Sequence, residues 1–163
     1  MESIMAKLII QLTVTVLVLL FSVNLGIAQN YSVGGRAGFS TIDGTLGLQI
    51  GPTFDYRFNK DVLFGSEFNI NTQGSTPVEW GNYVKYVLPT SAKDLQPYID
   101  GGFGIWFMTG GPYFGLRGGG GAYFKIAPDM YIPADIQLGP IFSTGSTVFY
   151  VAVTSGIRYI LPL

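Results

Sequence analysis

The side chains that could perform acid–base chemistry in this sequence are carboxylates, and two pairs are candidates for a general acid and a general base: Asp55 with Glu67, and Asp100 with Asp135. The sequence has no histidine and no cysteine. The commonest general base, the commonest metal ligand and a thiol nucleophile are therefore missing. We interpret the carboxylates as salt-bridge partners and predict that the chain is not an enzyme, with no catalytic, metal-binding or cofactor-binding residues.

The glycine run Gly118–Gly121 is the second candidate, because glycine-rich loops can bind phosphate. A phosphate loop also needs a following Gly-Lys-Ser/Thr and the start of a helix, and neither is present. Nucleic-acid binding is not expected either, since the net charge is −1 and the sequence has no basic patch. Small residues here suit a crowded or bent part of a β-structure.

Composition points to a surface that water does not fully cover. The chain is 48% hydrophobic and 15% aromatic but only 12% charged, whereas soluble domains carry about 25% charged residues. Much of the surface must therefore contact something other than water.

The N-terminal segment has the features of a secretory signal peptide. Lys7 precedes an apolar run over 8–23, and Gly26 and Ala28 provide small residues for cleavage after Ala28. A retained transmembrane helix is the alternative, because the run is about long enough to span a bilayer, but four polar residues interrupt it. The predicted domains are a signal peptide at 1–28 and an outer-membrane β-barrel at 29–163.

Alternation of apolar and polar residues continues through nearly all of the mature segment and is typical of transmembrane β-strands. In the clearest example, Leu46, Leu48 and Ile50 alternate with glycine and polar residues. Eight such segments are predicted: 31–40, 46–58, 62–71, 80–88, 99–107, 116–126, 131–139 and 149–163. We therefore predict an all-β fold, an eight-stranded antiparallel up-and-down transmembrane β-barrel, with both mature termini on the periplasmic side.

The bulky apolar face is expected to face lipid, and the glycine-rich face to line the lumen, because a narrow eight-stranded barrel has room inside only for limited side-chain volume. A charge on the lipid side near the bilayer centre would cost about 2–4 kcal/mol. All charges assigned within strands fall on the glycine-rich face and form the predicted lumen charge network: Arg36, Asp55, Arg57, Glu67, Lys85, Asp100, Arg117, Lys125, Asp135 and Arg158.

Buried charges need partners, so specific pairs are expected in this network. Lys85 with Asp100 would face each other across one connection, and Lys125 with Asp135 is a diagonal candidate. Arg36 and Arg158 lie on the first and last strands, which closure makes neighbours. Asp55 or Asp135 would supply the acid between them.

Aromatic residues on the apolar face suggest two girdles at the membrane interfaces. The periplasmic girdle would contain Tyr31, Tyr56, Tyr86 and Tyr159, and the external girdle Phe39, Trp80, Phe107 and Phe149. The alternative explanation is that aromatic residues favour strands in general.

The mature segment resembles the small outer-membrane β-barrel, or porin-like, family common among exported proteins of Bacteroidetes-type bacteria. The residues that carry the resemblance are at 31–38, in Val84-Lys85-Tyr86 and at 95–104. The family implies insertion by the outer-membrane assembly machinery, and its functions are seldom assigned. Family members often end in an aromatic residue, whereas this sequence ends Tyr159-Ile160-Leu161-Pro162-Leu163.

The expected function is that of an integral outer-membrane β-barrel protein, structural or general-purpose, with a lumen filled by a charge network. A narrow porin-like channel or small-solute conduit is the first alternative. The second is an adhesion barrel acting through short external loops, the longest around 71–78 and 108–114. The expected partners are outer-membrane lipid and, during insertion, the assembly machinery. No nucleic acid and no cofactor are expected, and the protein should be a monomer in the bacterial outer membrane.

Overall fold

The computed structural model describes residues 30–74, 76–143 and 145–161. The predicted signal peptide at 1–28 lies outside these residues. Within them, no helix is long and apolar enough to cross a membrane. Eight strands account for most of this part of the chain: β1 (Tyr31–Ile42), β2 (Thr45–Arg57), β3 (Val62–Asn71), β4 (Val78–Val87), β5 (Leu95–Met108), β6 (Gly111–Ala127), β7 (Met130–Ser143) and β8 (Ser146–Ile160).

The strands form one closed barrel in chain order. Each strand pairs antiparallel with the next, and β1 also pairs antiparallel with β8. Closure leaves no strand edge with unpaired backbone groups, which is the requirement that a lipid environment imposes on a β-structure. The predicted eight-stranded up-and-down barrel is confirmed.

The later strands are longer than the alternation indicated. β5 begins at Leu95 rather than Ile99, and β7 continues to Ser143. Pro97 and Pro140 interrupt the alternation in these extensions, but their backbones stay in the ladder: Pro97 pairs with Ala122, and Pro140 pairs with Phe149. The pair Met108–Gly111 closes the hairpin of β5 and β6. The expected loop around 108–114 is therefore only the connection 109–110.

We call the end of the barrel near Tyr31 and Ile160 the terminal end and the other the distal end. The distal connections are 43–44, 72–77, 109–110 and 144–145. The first of these has φ of 50° at Asp43 and 76° at Gly44, the left-handed pair that a tight type I′ hairpin requires. The distal face is therefore formed by short turns.

Glycines also allow neighbouring strands to approach where the wall bends. A Cβ on Gly102 would lie 2.0 Å from the Asn82 carbonyl oxygen, and one on Gly156 would lie 2.0 Å from the Gly35 oxygen. No other residue fits such a contact without moving the backbone. Kinks of this kind provide the curvature that closes a small barrel.

The two faces of the wall differ as the alternation predicted. The outer face carries most of the large hydrophobic side chains in exposed positions, such as Phe39 at 59% and Ile50 at 59% exposure. Charged side chains instead point inward, and Glu79 is 0% exposed. A continuous apolar outer wall is unfavourable in water and favourable in lipid.

Candidate functional site

The lumen is the candidate site, and described side chains occupy both of its ends and its centre. At the distal end lies an apolar cluster, the distal plug, formed by Ile42, Trp106, Ile141, Tyr150 and Ala152. At the terminal end lies the terminal plug, formed by Leu63, Val87, Tyr98, Tyr123 and Tyr131. Charged and polar side chains occupy the space between the plugs.

A central network joins strands on opposite sides of the lumen. Glu67 Oε1 accepts hydrogen bonds from Arg36 and from Arg117 Nη1, the latter at 2.6 Å. Arg117 Nη1 also lies 2.8 Å from Glu79 Oε1. Gln137 Oε1 accepts from both arginines. Two carboxylates and two guanidinium groups therefore neutralise one another in the barrel centre.

Neutral amides complete the coordination of Glu79. Asn69 Nδ2 donates to Glu79 Oε2 at 3.0 Å, and Gln49 Nε2 donates to the same oxygen at 3.3 Å. The Tyr150 hydroxyl donates to Gln49 Oε1 at 3.1 Å. This last bond links the central network to the distal plug, so the polar and apolar layers are continuous.

A second ion pair lies nearer the terminal end. Arg158 Nε donates to Asp55 Oδ2 at 2.9 Å, and the Tyr83 hydroxyl donates to Asp55 Oδ1 at 2.8 Å. Ser32 Oγ is 3.4 Å from Asp55 Oδ2. The Asp55 carboxylate thus has partners on β1, β4 and β8.

Lys85 is held by aromatic rings and one carboxylate. Its Nζ lies 3.6 Å from Asp135 Oδ1 and donates to the Tyr123 hydroxyl at 3.2 Å. The same nitrogen lies 4.8 Å from the ring centroid of Tyr83, 4.5 Å from that of Tyr98 and 5.3 Å from that of Tyr123. The Tyr98 hydroxyl donates to Asp135. Cation–π attraction supports a buried ammonium in such a setting.

Little space remains between these groups. The buried charged residues are balanced, with four basic and four acidic side chains: Arg36, Lys85, Arg117, Arg158, Asp55, Glu67, Glu79 and Asp135. A cavity bounded by Arg36, Asp55, Lys85 and Tyr123 has a volume of about 10 Å³, about the minimum for a single water molecule. Such a space is too small for a hydrated ion or a solute.

Glycines in the wall make room for the largest lumen side chains. A Cβ on Gly81 would lie 2.1 Å from Arg117 Nη1, and one on Gly65 would lie 2.1 Å from the Tyr83 ring. Trp106 lies against Gly104 in the same way, at 2.6 Å. Trp106 and Tyr123, at 0% and 1% exposure, are lumen filler.

Only part of the expected pairing is observed. Arg158 does pair with Asp55, but the acid beside Arg36 is Glu67, so the expectation of Asp55 or Asp135 at Arg36 is wrong. Each pair skips one strand of the wall, because inward side chains point toward the barrel axis and reach strands that are not their neighbours.

The predicted pair Lys85–Asp100 is also wrong, although the two residues are Cα partners as the register argument required. Lys85 reaches across the lumen to Asp135 instead. Both Asp100 carboxylate oxygens are buried without a hydrogen-bond partner among the described residues. Since Asp135 binds Lys85, the diagonal pair Lys125–Asp135 is not formed either.

Two predicted network members lie at the rim of the lumen. Lys125 is exposed near the end of β6, where the barrel opens to solvent. Arg57 is half-buried at the end of β2 and donates to the Lys60 carbonyl at 3.2 Å. Near a strand end, the alternation still predicts whether a residue lies on the inner or the outer face of the wall. The side chain of such a residue nevertheless extends beyond the packed interior.

Sequence reasoning missed Glu79, which binds Arg117. The alternation predicts a fourth segment that begins at Trp80, whereas β4 begins at Val78 in the structure. Glu79 has the same alternation phase as the inward residues Tyr83 and Lys85, so extending the pattern by two residues would have identified it.

Most of the predicted girdle residues lie on the outer face. Exposure is high for the proposed external set and for Tyr86 and Tyr159, whereas Tyr31 and Tyr56 are half-buried against each other, with ring centroids 5.2 Å apart. Trp80 Nε1 donates to the Ser66 hydroxyl at 3.0 Å, so the indole has a partner within the wall. An interfacial role for these residues stays a prediction.

Comparisons with known proteins bear on the fold. No protein-family model and no curated protein matches the sequence. Neisserial surface protein A matches with a TM-score of 0.69 at 14% identity, covering 80% of this chain and 97% of that one. The N-terminal β-barrel domain of Pseudomonas aeruginosa OprF matches with a TM-score of 0.60 at 13% identity, covering 78% and 97%.

Two further structures show how varied this fold is. A de novo designed transmembrane β-barrel matches with a TM-score of 0.52 at 21% identity, covering 80% of this chain and 94% of that one. The outer membrane enzyme PagL matches with a TM-score of 0.54 at 12% identity, covering 80% and 99%. One of these proteins is an enzyme, so the fold by itself leaves function open. The chain has the fold of a small transmembrane β-barrel.

Proposed function

We propose that this chain is an integral outer-membrane β-barrel protein with a structural or general-purpose role and a closed lumen. The observation that carries the proposal is the filled interior, with an apolar plug at each end and neutralised charges between them. Water and ions would have to displace buried ion pairs and fully buried aromatic rings to pass. Membership in the small outer-membrane barrel family of Bacteroidetes-type bacteria is part of this proposal.

The outer membrane is proposed as the location because the wall is apolar all round and the barrel is closed. Several neighbours in fold are described as outer-membrane proteins, including OprG of Pseudomonas aeruginosa, with a TM-score of 0.50. Residues 1–28 would direct export, and the assembly machinery would insert the barrel. The terminal end would face the periplasm.

The closed lumen and the short distal turns disfavour the two alternative functions. A channel needs a continuous water path, and the central cavity has room for about one water. Adhesion through external loops needs surface beyond the barrel rim, but the distal connections run from two residues to the six of 72–77.

We also propose that the protein has no catalytic activity. Glu67, Glu79, Asp55 and Asp135 all contact basic side chains within the lumen, where a substrate has no access. Residues 30–74, 76–143 and 145–161 contain no cluster of three or more acidic residues able to hold a metal ion.

Location and orientation can be tested by labelling cysteine variants on intact cells of a Gram-negative host. The chain has no native cysteine, so Ser146→Cys at the distal end and Lys93→Cys at the terminal end are matched single sites. A membrane-impermeant maleimide should label Ser146→Cys only, and Lys93→Cys should react after the outer membrane is opened. If Lys93→Cys alone were labelled on intact cells, the terminal end would face the outside and the proposed orientation would be wrong.

Closure can be tested by osmotic swelling of liposomes that contain the refolded barrel. We expect no uptake of a small neutral sugar above that of empty liposomes, since the plugs leave no path. Sugar uptake proportional to the amount of folded protein would favour the channel alternative.

A further inference from the structure

The outer wall carries one amide that its lipid-facing position does not explain. Asn82 lies in the middle of β4, on the outer face between Trp80 and Val84. It is half-buried, and its side chain forms no hydrogen bond with another described residue. An amide facing hydrocarbon without a partner is unfavourable, so the Asn82 side chain is free to bond a group outside the described residues.

The polar side chain paired with Asn82 on β3 bonds to other groups. Ser66 is the Cα partner of Asn82 on β3. Its hydroxyl donates to the Gly81 carbonyl at 3.4 Å and accepts from Trp80 Nε1 at 3.0 Å. On the other side, the Cα partner of Asn82 on β5 is the apolar Phe103. The strands beside Asn82 therefore leave its donor and its acceptor unsatisfied.

The outer wall around Asn82 has a recess, called the hollow, beside the projecting side chain of Phe103, called the ridge. The hollow has a volume of about 290 Å³ and borders Asn82, Val84 and Gly101. Gly101 has no side chain to fill it, while Phe64 and Phe103 project beside it with 45% and 43% of their surface exposed. The same patch thus contains a projection and a recess.

We propose that this face of β3, β4 and β5 binds a second copy of the chain in the membrane, with Asn82 at the centre of a two-fold interface. A two-fold axis brings the same patch of both copies together, so the patch must complement itself. An amide meets this condition because it donates and accepts, and two Asn82 side chains can exchange two hydrogen bonds. The Phe103 ridge of each copy would enter the hollow of the other.

Lipid is the competing occupant of the hollow. An acyl chain can fill apolar volume, but it has no group to hydrogen-bond an amide at this depth. Polar side chains facing lipid are a known means of joining transmembrane segments. The proposal departs from the monomer expected from the sequence, because the alternation places Asn82 on the apolar face without indicating what its amide would bind.

The test uses energy transfer between copies of the refolded mature barrel in phosphatidylcholine vesicles. Donor and acceptor dyes are attached to Lys93→Cys, an exposed connection residue. We expect transfer that persists as lipid is added, and at least a tenfold weaker association for Asn82→Leu. The leucine suits a lipid-facing position, so this variant should fold, which the folded-barrel shift on gel electrophoresis checks.

Ser155→Leu is the matched control, because Ser155, like Asn82, is a polar residue on the outer face, but it lies on β8. Its energy transfer should equal that of the unmodified barrel. Transfer at the level of randomly dispersed barrels, or transfer unchanged by Asn82→Leu, would overturn the proposal. Equal loss in Asn82→Leu and Ser155→Leu would also overturn it, because the effect would not depend on the proposed face.

Discussion

At the scale of single residues, Glu67 is the carboxylate on which the centre of the barrel depends. It is 2% exposed and binds both Arg36 and Arg117. Removing one partner of a buried ion pair leaves charge uncompensated, and this is far more costly than losing a surface pair. The lumen therefore stabilises the barrel as long as the network is intact.

For Glu67→Gln we expect a loss of about 3–5 kcal/mol in the free energy of unfolding, because two buried arginines lose their shared carboxylate. Urea titration of the barrel in lipid vesicles measures it. Asp61→Asn is the control, since Asp61 is only partly buried and pairs at 3.9 Å with the exposed Lys60, and this variant should unfold at the same urea concentration as the original. Equal midpoints for the two variants would contradict a stabilising central network.

The pair Arg158–Asp55 tests coupling within the lumen. A double-mutant cycle of Arg158→Met, Asp55→Asn and the double variant should give a coupling energy of about 1–3 kcal/mol, because the pair is buried and hydrogen-bonded at 2.9 Å. Additive effects within about 0.5 kcal/mol would mean that the two groups act independently.

At the scale of strands, alternation determines which face a residue occupies but not which partner it finds across the lumen. The strand count, the antiparallel order and the inward position of Arg36, Lys85 and Arg117 were predictable, because period two and the length of the mature segment constrain them. The pair Lys85–Asp135 joins β4 and β7. Such pairs depend on barrel diameter and stagger, which no local pattern records.

Strand ends were the other weak point of the sequence-based prediction. The alternation predicts a fourth segment that begins at Trp80 and therefore leaves out Glu79, and it includes Lys125 because period two does not distinguish the rim from the packed interior. Glu79 has no predicted face, although it continues the inward phase of Gly81 and Tyr83. The alternation does not indicate how far along the barrel axis a residue lies, so it cannot separate residues at the rim from residues in the packed interior.

The close approach of β4 and β5 at Gly102 can be tested by adding a methyl group there. Gly102→Ala should lower the free energy of unfolding by about 1–3 kcal/mol, because its Cβ would lie 2.0 Å from the Asn82 carbonyl oxygen. Gly118→Ala is the control, since its Cβ would meet its nearest neighbour at 3.8 Å. Urea titration of both in vesicles compares them. If the two variants are equally stable, close strand approach at Gly102 does not limit the fold.

At the scale of the whole molecule, the barrel has an apolar exterior and a charged interior. In this arrangement ion pairs lie in the protein centre, and hydrophobic side chains contact the surroundings. Each layer of the lumen joins several strands, so the plugs and the networks hold the barrel as a closed cylinder.

The lipid-facing wall should respond to charge according to depth. Ile136→Arg, in the middle of β7, should cost about 2–4 kcal/mol of folding free energy in vesicles, whereas Phe58→Arg, just beyond the end of β2, should cost about 0–1 kcal/mol. Both side chains are exposed on the outer face, at 55% and 64%. A similar cost at the two positions would contradict a wall that spans the hydrocarbon core.

The central claim is that the folded lumen is closed, and single-channel conductance in a planar bilayer tests it most directly. The folded mature barrel should give no steady current, because Trp106 and Tyr150 fill the distal end and ion pairs fill the centre. A steady, reproducible conductance from the folded, unmodified barrel would contradict the closed lumen.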